Sequence, residues 1–240
     1  MQYKIHHFKS LTSTQDKAKE YTKKGLGNIV IIADMQTKGR GRFKRKWHSG
    51  KGGLWMSIIL KPQKIENLQY LTLAAAIAVV KSIKKIAKLN TNIKWPNDVH
   101  YKGKKLCGIL TEGVFGKENF VIVGIGLNIN QLEFSAEIKN TATSLRMIKH
   151  RIFDINKFAT AILKEFYFIF GNYYNKNKLG KILAVWKQHC DTLNKNVKVI
   201  TKTKILYGKA IDVDNDCNLI LKLKNGRIVK IIEGDIRVRY

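Results

Sequence analysis

The sequence predicts an α+β domain followed by a small all-β barrel, and three observations carry that expectation. Two apolar runs rich in β-branched residues, NIVIIA at 28–33 and LWMSIIL at 54–60, have the length and composition of buried strands. Between positions 66 and 88, Leu68, Leu71, Ala75, Val79, Ile83 and Ile86 recur at helical spacing, with Lys84, Lys85 and Lys88 off the stripe. That is the pattern of a helix packed on a sheet. After Asp191 the chain turns to short alternating runs (VKVI, ILYGKAIDV, LILKL, RIVKII, IRVR) broken by Asp214-Asn215 and Asn225-Gly226. Asn-Gly between strands is a hairpin signal.

The remaining elements follow in order. Residues 3–8 read as a short strand, and Ser13-Thr14-Gln15-Asp16 supplies hydroxyls suited to capping a helix that runs toward Lys24 and stops at Gly25 and Gly27. Residues 36–53 form a basic, glycine-containing loop too long to be a simple connector. Strands are expected at 92–95, 106–112 and 120–127, the first two joined by the turn-rich PNDVHYKGK and the last two by a stretch with Gly113 and Gly116. Two further helices are expected near 155–174 and 179–190.

Composition narrows the function classes. A chain of 240 residues accommodates one domain of roughly 180 residues with a small satellite. The start, MQYKIHHFKS, lacks the layout of a signal peptide, and no apolar run reaches the ~18–20 residues of a membrane helix. A cytoplasmic protein without membrane attachment is therefore expected. Cys107, Cys190 and Cys217 are far apart and show no CxxC spacing, which suggests neither a disulfide framework nor a zinc site. The 45 Lys+Arg against 17 Asp+Glu leave +28, a balance that attracts polyanions whatever the function. Lysines are scattered through nearly every segment without interleaved aromatics, so no dedicated nucleic-acid face is expected.

Three stretches could carry chemistry. The loop QTKGRGRFKRKW from Gln36 to Trp47 holds five cationic side chains in seven positions, with Gly39 and Gly41 letting the backbone bend. It could wrap a triphosphate, since arginine forks suit phosphate, or it could be a solvated basic hairpin. It is neither a Walker A motif nor a dinucleotide fingerprint, because GxxxxGK[ST] and GxGxxG are both absent. Nor is there a GxSxG elbow or an HExxH pair, which leaves serine hydrolases and zinc enzymes without their parts. KWPND, at Lys94 to Asp98, breaks a strand with proline and presents an amide and a carboxylate. KKLCGIL puts Lys105 at the mouth of an apolar strand that carries Gly108.

In order and spacing, these pieces resemble one family. STQ at Ser13, QTKGRGR with Trp47 behind it, KWPND, KLCGIL ending at Glu112, and GIGLNIN from Gly124 are similar to the catalytic domain of biotin protein ligases. The resemblance covers roughly residues 1–190, and residues 191–240 resemble that family's small C-terminal domain. It implies an α+β catalytic domain, a mixed β-sheet packed with helices, followed by an all-β SH3-like barrel. It also implies an enzyme that makes biotinyl-5′-AMP from biotin and ATP with Mg²⁺, then transfers biotin to a lysine of a biotin carboxyl carrier domain.

Site by site, the resemblance assigns biotin binding to Ser13, Thr14, Gln15, Gln36, Gly39, Arg40, Arg42, Lys105 and Gly108. ATP and adenylate binding fall to Arg40, Arg42, Trp47, Lys94, Asn97, Lys105 and Asn128. Lys105 and Arg40 are the expected catalytic residues, Asp98 the candidate metal ligand, and Trp47, Leu54 and Ile109 the apolar walls. Two departures stand out: Lys44 replaces a loop glycine, and Gln15 replaces the usual asparagine. Because the chain opens on the strand before Ser13, no specific DNA binding is expected, and a homodimer is admitted without being required. The rivals are a lipoate protein ligase and, in another class, a basic nucleic-acid-binding protein.

Overall fold

A computed structural model describes residues 3–62, 65–201 and 203–238. Seven strands form one sheet in the order β1-β2-β3-β7-β6-β5-β4. They are β1 (Lys4–Leu11), β2 (Ile29–Gln36), β3 (Gly53–Leu60), β4 (Asn92–Lys94), β5 (Asp98–Tyr101), β6 (Lys104–Val114) and β7 (Phe120–Asn128). β1 and β2 pair in parallel and the other neighbours are antiparallel, so the sheet is mixed as expected. β5 lies inside PNDVHYKGK, the stretch read from the sequence as a turn-rich connection. Asp98–Tyr101 is too short for a periodicity signal, and its strand character comes from pairing with β4 and β6 on either side.

The sheet's two faces are covered differently. On one lie α2 (Gln69–Ala87), α4 (Ile155–Ile169) and α5 (Leu179–His189), with a π-helical turn, Phe170–Tyr174, extending α4 to the end expected for it. Strand alternation sends Val30, Ile32, Leu54, Met56, Ile58, Leu60, Val121, Val123, Ile125 and Leu127 toward this layer, all buried in the main core. Burying each such side chain stabilises the fold by about 1.5–3 kcal/mol. α2 stops where Lys88 takes the left-handed conformation at φ 50°.

Among the described residues, α1 (Thr14–Lys23) is the one helix on the opposite face, and it packs on β2, β3 and β7, joining Ala18 to Ile29, Ile31, Ile59, Phe120 and Ile122. Ser13 caps α1, its side chain accepting from Gln15 N at 3.2 Å. Where α1 ends its cover, β3, β6 and β7 present Ser57, Gly108, Gly124 and Gly126, and the small residues leave room above the sheet. A short helix not expected from the sequence, α3 (Leu145–Lys149), is capped by Ser144 Oγ, which accepts from Met147 N at 3.1 Å.

Beyond α5, strands β8 (Asn196–Ile200), β9 (Ile205–Val213), β10 (Leu219–Leu223), β11 (Ile228–Ile231) and β12 (Asp235–Val238) form a separate antiparallel sheet in the order β11-β10-β9-β8-β12. Its buried residues, among them Val197, Val199, Ala210 and Leu219, join the main core. Hydrogen bonds that stitch the seam include Tyr70 Oη to Asn215 O (2.6 Å), Trp95 Nε1 to Cys217 O (2.9 Å) and Trp95 N to Thr192 Oγ1 (3.0 Å). Cys107, Cys190 and Cys217 are buried free thiols. No helix among the described residues is long and apolar enough to cross a membrane.

Candidate active site

The uncovered part of the sheet is the floor of a cavity of about 260 Å³. Its roof is the 36–47 loop, folded back as a hairpin: Gln36 N donates to Ser49 O (2.8 Å), Trp47 N to Gly39 O (2.9 Å) and Gly41 N to Arg45 O (2.8 Å). Trp47 drops from this roof onto the sheet. A Cβ at Gly126 would lie 2.5 Å from Trp47 Nε1, and one at Gly108 3.0 Å from Trp47 Cζ3, so both glycines are needed for the ring to seat. The ring meets Trp55 edge-on with centroids 6.5 Å apart.

At one end the lining is a set of uncharged hydrogen-bonding groups. Gln36 Oε1 accepts from Thr14 N (2.7 Å), while Gln36 Nε2 donates to Ser49 Oγ (2.7 Å). Ser57 Oγ lies 2.8 Å from both Thr14 Oγ1 and Gln15 Oε1. Gln15 Nε2 donates to Glu112 Oε2 at 2.8 Å. Ser13, Thr14, Gln15 and Ser57 are all buried, so these hydroxyls and amides are fixed by one another before any ligand arrives.

Arg40, Arg42, Arg45 and Lys105 also line the cavity, and each of these four is matched by an internal carboxylate or amide. Arg40 Nη2 lies 3.0 Å from Glu112 Oε2 and 3.0 Å from Asp16 Oδ1. Lys105 Nζ lies 2.7 Å from Asp98 Oδ1 and 4.9 Å from the Trp47 ring centre. Arg42 Nη1 donates to Asn97 Oδ1 at 3.2 Å, and Asn97 Nδ2 holds Ile109 O at 2.7 Å. Arg45 pairs with Asp235 of the C-terminal sheet. Burial pulls the Arg42 guanidinium below its ordinary value against the charges of Asp98, Asp235 and Glu233. Among the described residues, buried Arg40 Nε, Trp47 Nε1 and Asn128 Oδ1 have no hydrogen-bond partner. Orphans of that kind cost about 1–3 kcal/mol each, and a bound ligand would satisfy them.

The structure therefore brings together Ser13, Thr14, Gln15, Gln36, Arg40, Arg42, Trp47, Asn97, Asp98, Lys105, Gly108, Ile109 and Asn128 around one space. Three expected residues lie outside the lining. Gly39 is packed under the loop, where a Cβ would meet Ser49 Oγ at 2.3 Å. Lys94 sits on β4 opposite Asp98, and burial lowers its ammonium's affinity for the proton. Leu54 alternates to the other side of β3 and is wholly buried in the main core, leaving Trp55 to form that wall.

Sequence reasoning missed Ser57, Arg45, Asp235, Phe134, Ile138 and Ala142 of the lining or its supports. Ser57 had a signal, being the one polar residue in LWMSIIL. Asp235 had none, since its approach depends on how the second sheet docks. The loop's left-handed residue is Phe43 (φ 55°), held between the Arg42 and Arg45 guanidinium groups at 4.9 and 5.7 Å from its ring centre. Among the described residues no three His, Cys, Asp or Glu side chains converge as a metal site, and Asp98 stands against Lys105.

Comparison with known proteins agrees with this geometry. Residues 7–130 match the model of the biotin/lipoate A/B protein ligase family, and residues 192–239 that of the biotin protein ligase C terminal domain. The chain is 37% identical to the bifunctional ligase/repressor BirA of Bacillus subtilis over 99% of its own length and 74% of the relative's. It is 31% identical to the biotin--[acetyl-CoA-carboxylase] ligase of Mycobacterium tuberculosis, over 88% of this chain and 79% of that one. Among solved structures, the biotin protein ligase of Aquifex aeolicus in complex with biotin and ATP superposes with a TM-score of 0.87, at 31% identity and 98% coverage of both chains. Sheet order, cavity and matched segments converge, and the chain belongs to the biotin/lipoate A/B protein ligase family.

Proposed function

We propose that this protein is an ATP-dependent biotin protein ligase, with residues 1–190 as the catalytic domain and 191–240 as a small β domain that supports its loop. The observation that carries the reading is a single cavity lined by neutral hydrogen-bonding groups, by an aromatic wall and by Lys105 with three arginines. A bicyclic urea with an apolar tail ending in a carboxylate needs the first two, and a triphosphate needs the last. The names of the relatives above support the same pairing of substrates.

In this reading Ser13, Thr14 and Gln36 bind the ureido head of biotin, and Trp47 and Ile109 cover its apolar ring and tail. Lys105 meets the biotin carboxylate and the α-phosphate, exchanging its contact with Asp98 for theirs. Arg40, Arg42 and Arg45 spread over the polyphosphate, and Asn97 and Asn128 lie beside the nucleotide. The carboxylate oxygen attacks the α-phosphorus, the bond to the bridging oxygen breaks and pyrophosphate leaves. The folded loop then keeps water from the mixed anhydride until an acceptor amine attacks the carbonyl carbon and AMP departs. No covalent bond to the enzyme is needed. The described residues do not themselves fit a Mg²⁺ cage, so no step is assigned to a protein-held metal; the ion would travel with the phosphates of ATP. The acceptor we propose is the lysine of a biotin carboxyl carrier domain, and the setting is the cytoplasm.

Biotin-dependent exchange of pyrophosphate into ATP tests this directly. Exchange with biotin and not with lipoate is expected. Exchange with lipoate alone would make the protein a lipoate ligase, and none with either would remove the ligase reading.

A further inference from the structure

We infer that Glu112, acting through Gln15 and Ser57, is a positioning residue that makes Thr14 a hydrogen-bond acceptor for the head group and ties that choice to Arg40. The inference rests on the ligase reading above and adds residues which that reading does not use. Glu112 sits on β6 and reaches the cavity side of the sheet, where Oε2 takes Gln15 Nε2 (2.8 Å) and Arg40 Nη2 (3.0 Å), and Oε1 takes Lys19 Nζ (2.7 Å).

The direction of the chain follows from proton counting. An ionised carboxylate only accepts, so the Gln15 amide must turn its NH₂ toward Glu112 and its oxygen toward Ser57. The second N–H of that amide points to Leu110 O at 3.4 Å, which accepts as well. Ser57 Oγ is equidistant from Gln15 Oε1 and Thr14 Oγ1 but has one proton. Gln15 Oε1 has none, so Ser57 donates to it. Thr14 must then donate to Ser57, and the Thr14 oxygen is left with its lone pairs toward the cavity that it lines. Thr14 is thereby set to receive an N–H, the group a cyclic urea offers.

No alternative direction keeps every buried atom paired. Ser57 is wholly buried and Thr14 and Gln15 nearly so, which removes water as a substitute partner. Gln15 packs directly over Gly124, where a Cβ would stand 2.9 Å from Gln15 Oε1. Replacing Glu112 by glutamine supplies a donor as well as an acceptor. The Gln15 amide can then flip, Ser57 can donate to Thr14, and the Thr14 proton would face the urea N–H.

The test is a cycle of Glu112→Gln, Ser57→Ala and the double variant, read as KM for biotin, KM for ATP and kcat in pyrophosphate exchange. Each single change should raise KM for biotin about tenfold, the scale of one misdirected buried hydrogen bond, with KM for ATP little changed. Because both cut the same chain, the double variant should be no worse than either single one. Glu112→Gln, and not Ser57→Ala, should also speed escape of the adenylate, seen as labelling of a bystander protein, since it alone loosens Arg40. An unchanged KM for biotin in Ser57→Ala, or a double variant whose effect is the product of the two, overturns the inference. A wild-type chain with no biotin-dependent exchange would instead defeat the ligase reading itself.

Discussion

Lys105 Nζ is held 2.7 Å from Asp98 Oδ1 and 4.9 Å from the centre of the Trp47 ring, between a carboxylate and an aromatic face. The ammonium already lies at the cavity before substrates bind, and has only to exchange Asp98 for their anionic oxygens. Lys105→Gln should lower the exchange rate by a factor of about 100 to 1,000 while leaving thermal unfolding within a few degrees of wild type. Exchange at the wild-type rate would remove Lys105 from the chemistry.

The seat of Trp47 makes a second expectation. Gly126→Ala places a methyl where Trp47 Nε1 now lies, 2.5 Å away, on a strand whose other side is fully packed. The ring must leave, and overpacking of this kind costs about 1–3 kcal/mol. Titration of tryptophan fluorescence with biotin should show weaker binding and a smaller change on saturation. Affinity equal to that of wild type would show that the ring does not cover the ligand.

Arg45 and Asp235 join the roof of the cavity to the second sheet. Asp235→Asn should free the loop, so trypsin should cut between residues 40 and 46 faster than in wild type, and biotin with MgATP should slow the cut in both. Cleavage indifferent to either change would mean that the loop is held by its own hairpin bonds alone.

The seam between the two sheets contains a buried hydrogen bond, His100 Nε2 to Asp191 Oδ1 at 2.8 Å, with Lys195 at 3.3 Å from the other oxygen. Burial pushes the Asp191 carboxyl up, but the hydrogen bond from His100 and the charges of His100 and Lys195 outweigh it, so the group sits below its ordinary value. A depressed carboxylate contributes stability above the unfolded value of about 3.9 and loses it as pH falls through the lower folded value. Asp191→Asn should therefore cost about 1.5–3 kcal/mol at neutral pH, the scale of hydrogen bonds to a charged group. Denaturant midpoints of wild type and variant should converge in strong acid. A constant gap across pH would assign the loss to packing.

Positive charge is spread over every layer, with Lys17 and Lys23 on α1, Lys81 and Lys84 on α2 and Lys209 and Lys222 on the second sheet. Any DNA binding should be sequence-indifferent, with log affinity falling linearly in log salt. A preference of about 1,000-fold for one promoter over random DNA of equal length would contradict this.

Short-range signals in the sequence determined most of the secondary structure and the order of the site motifs. Ser13 reads as a cap because its hydroxyl serves an amide two residues away, and residues 66–88 read as a helix, formed over Gln69–Ala87, because their own periodicity marks the buried stripe. Which partners complete the site was decided only by tertiary structure. Gln15 and Glu112 are 97 residues apart and meet because β3, β7 and β6 lie side by side in the sheet. Alternation along β3 sent Leu54 into the core and Ser57 to the cavity, a parity that strand register sets and apolar composition leaves open. Asp235 reaches the loop only because the second sheet docks through Tyr70, Trp95 and Thr192. Local hydrogen bonding and periodicity act within one turn or one strand and are written in neighbouring residues. Charge pairing and hydroxyl direction depend on groups brought within about 3 Å by the whole fold, and no window of sequence contains them.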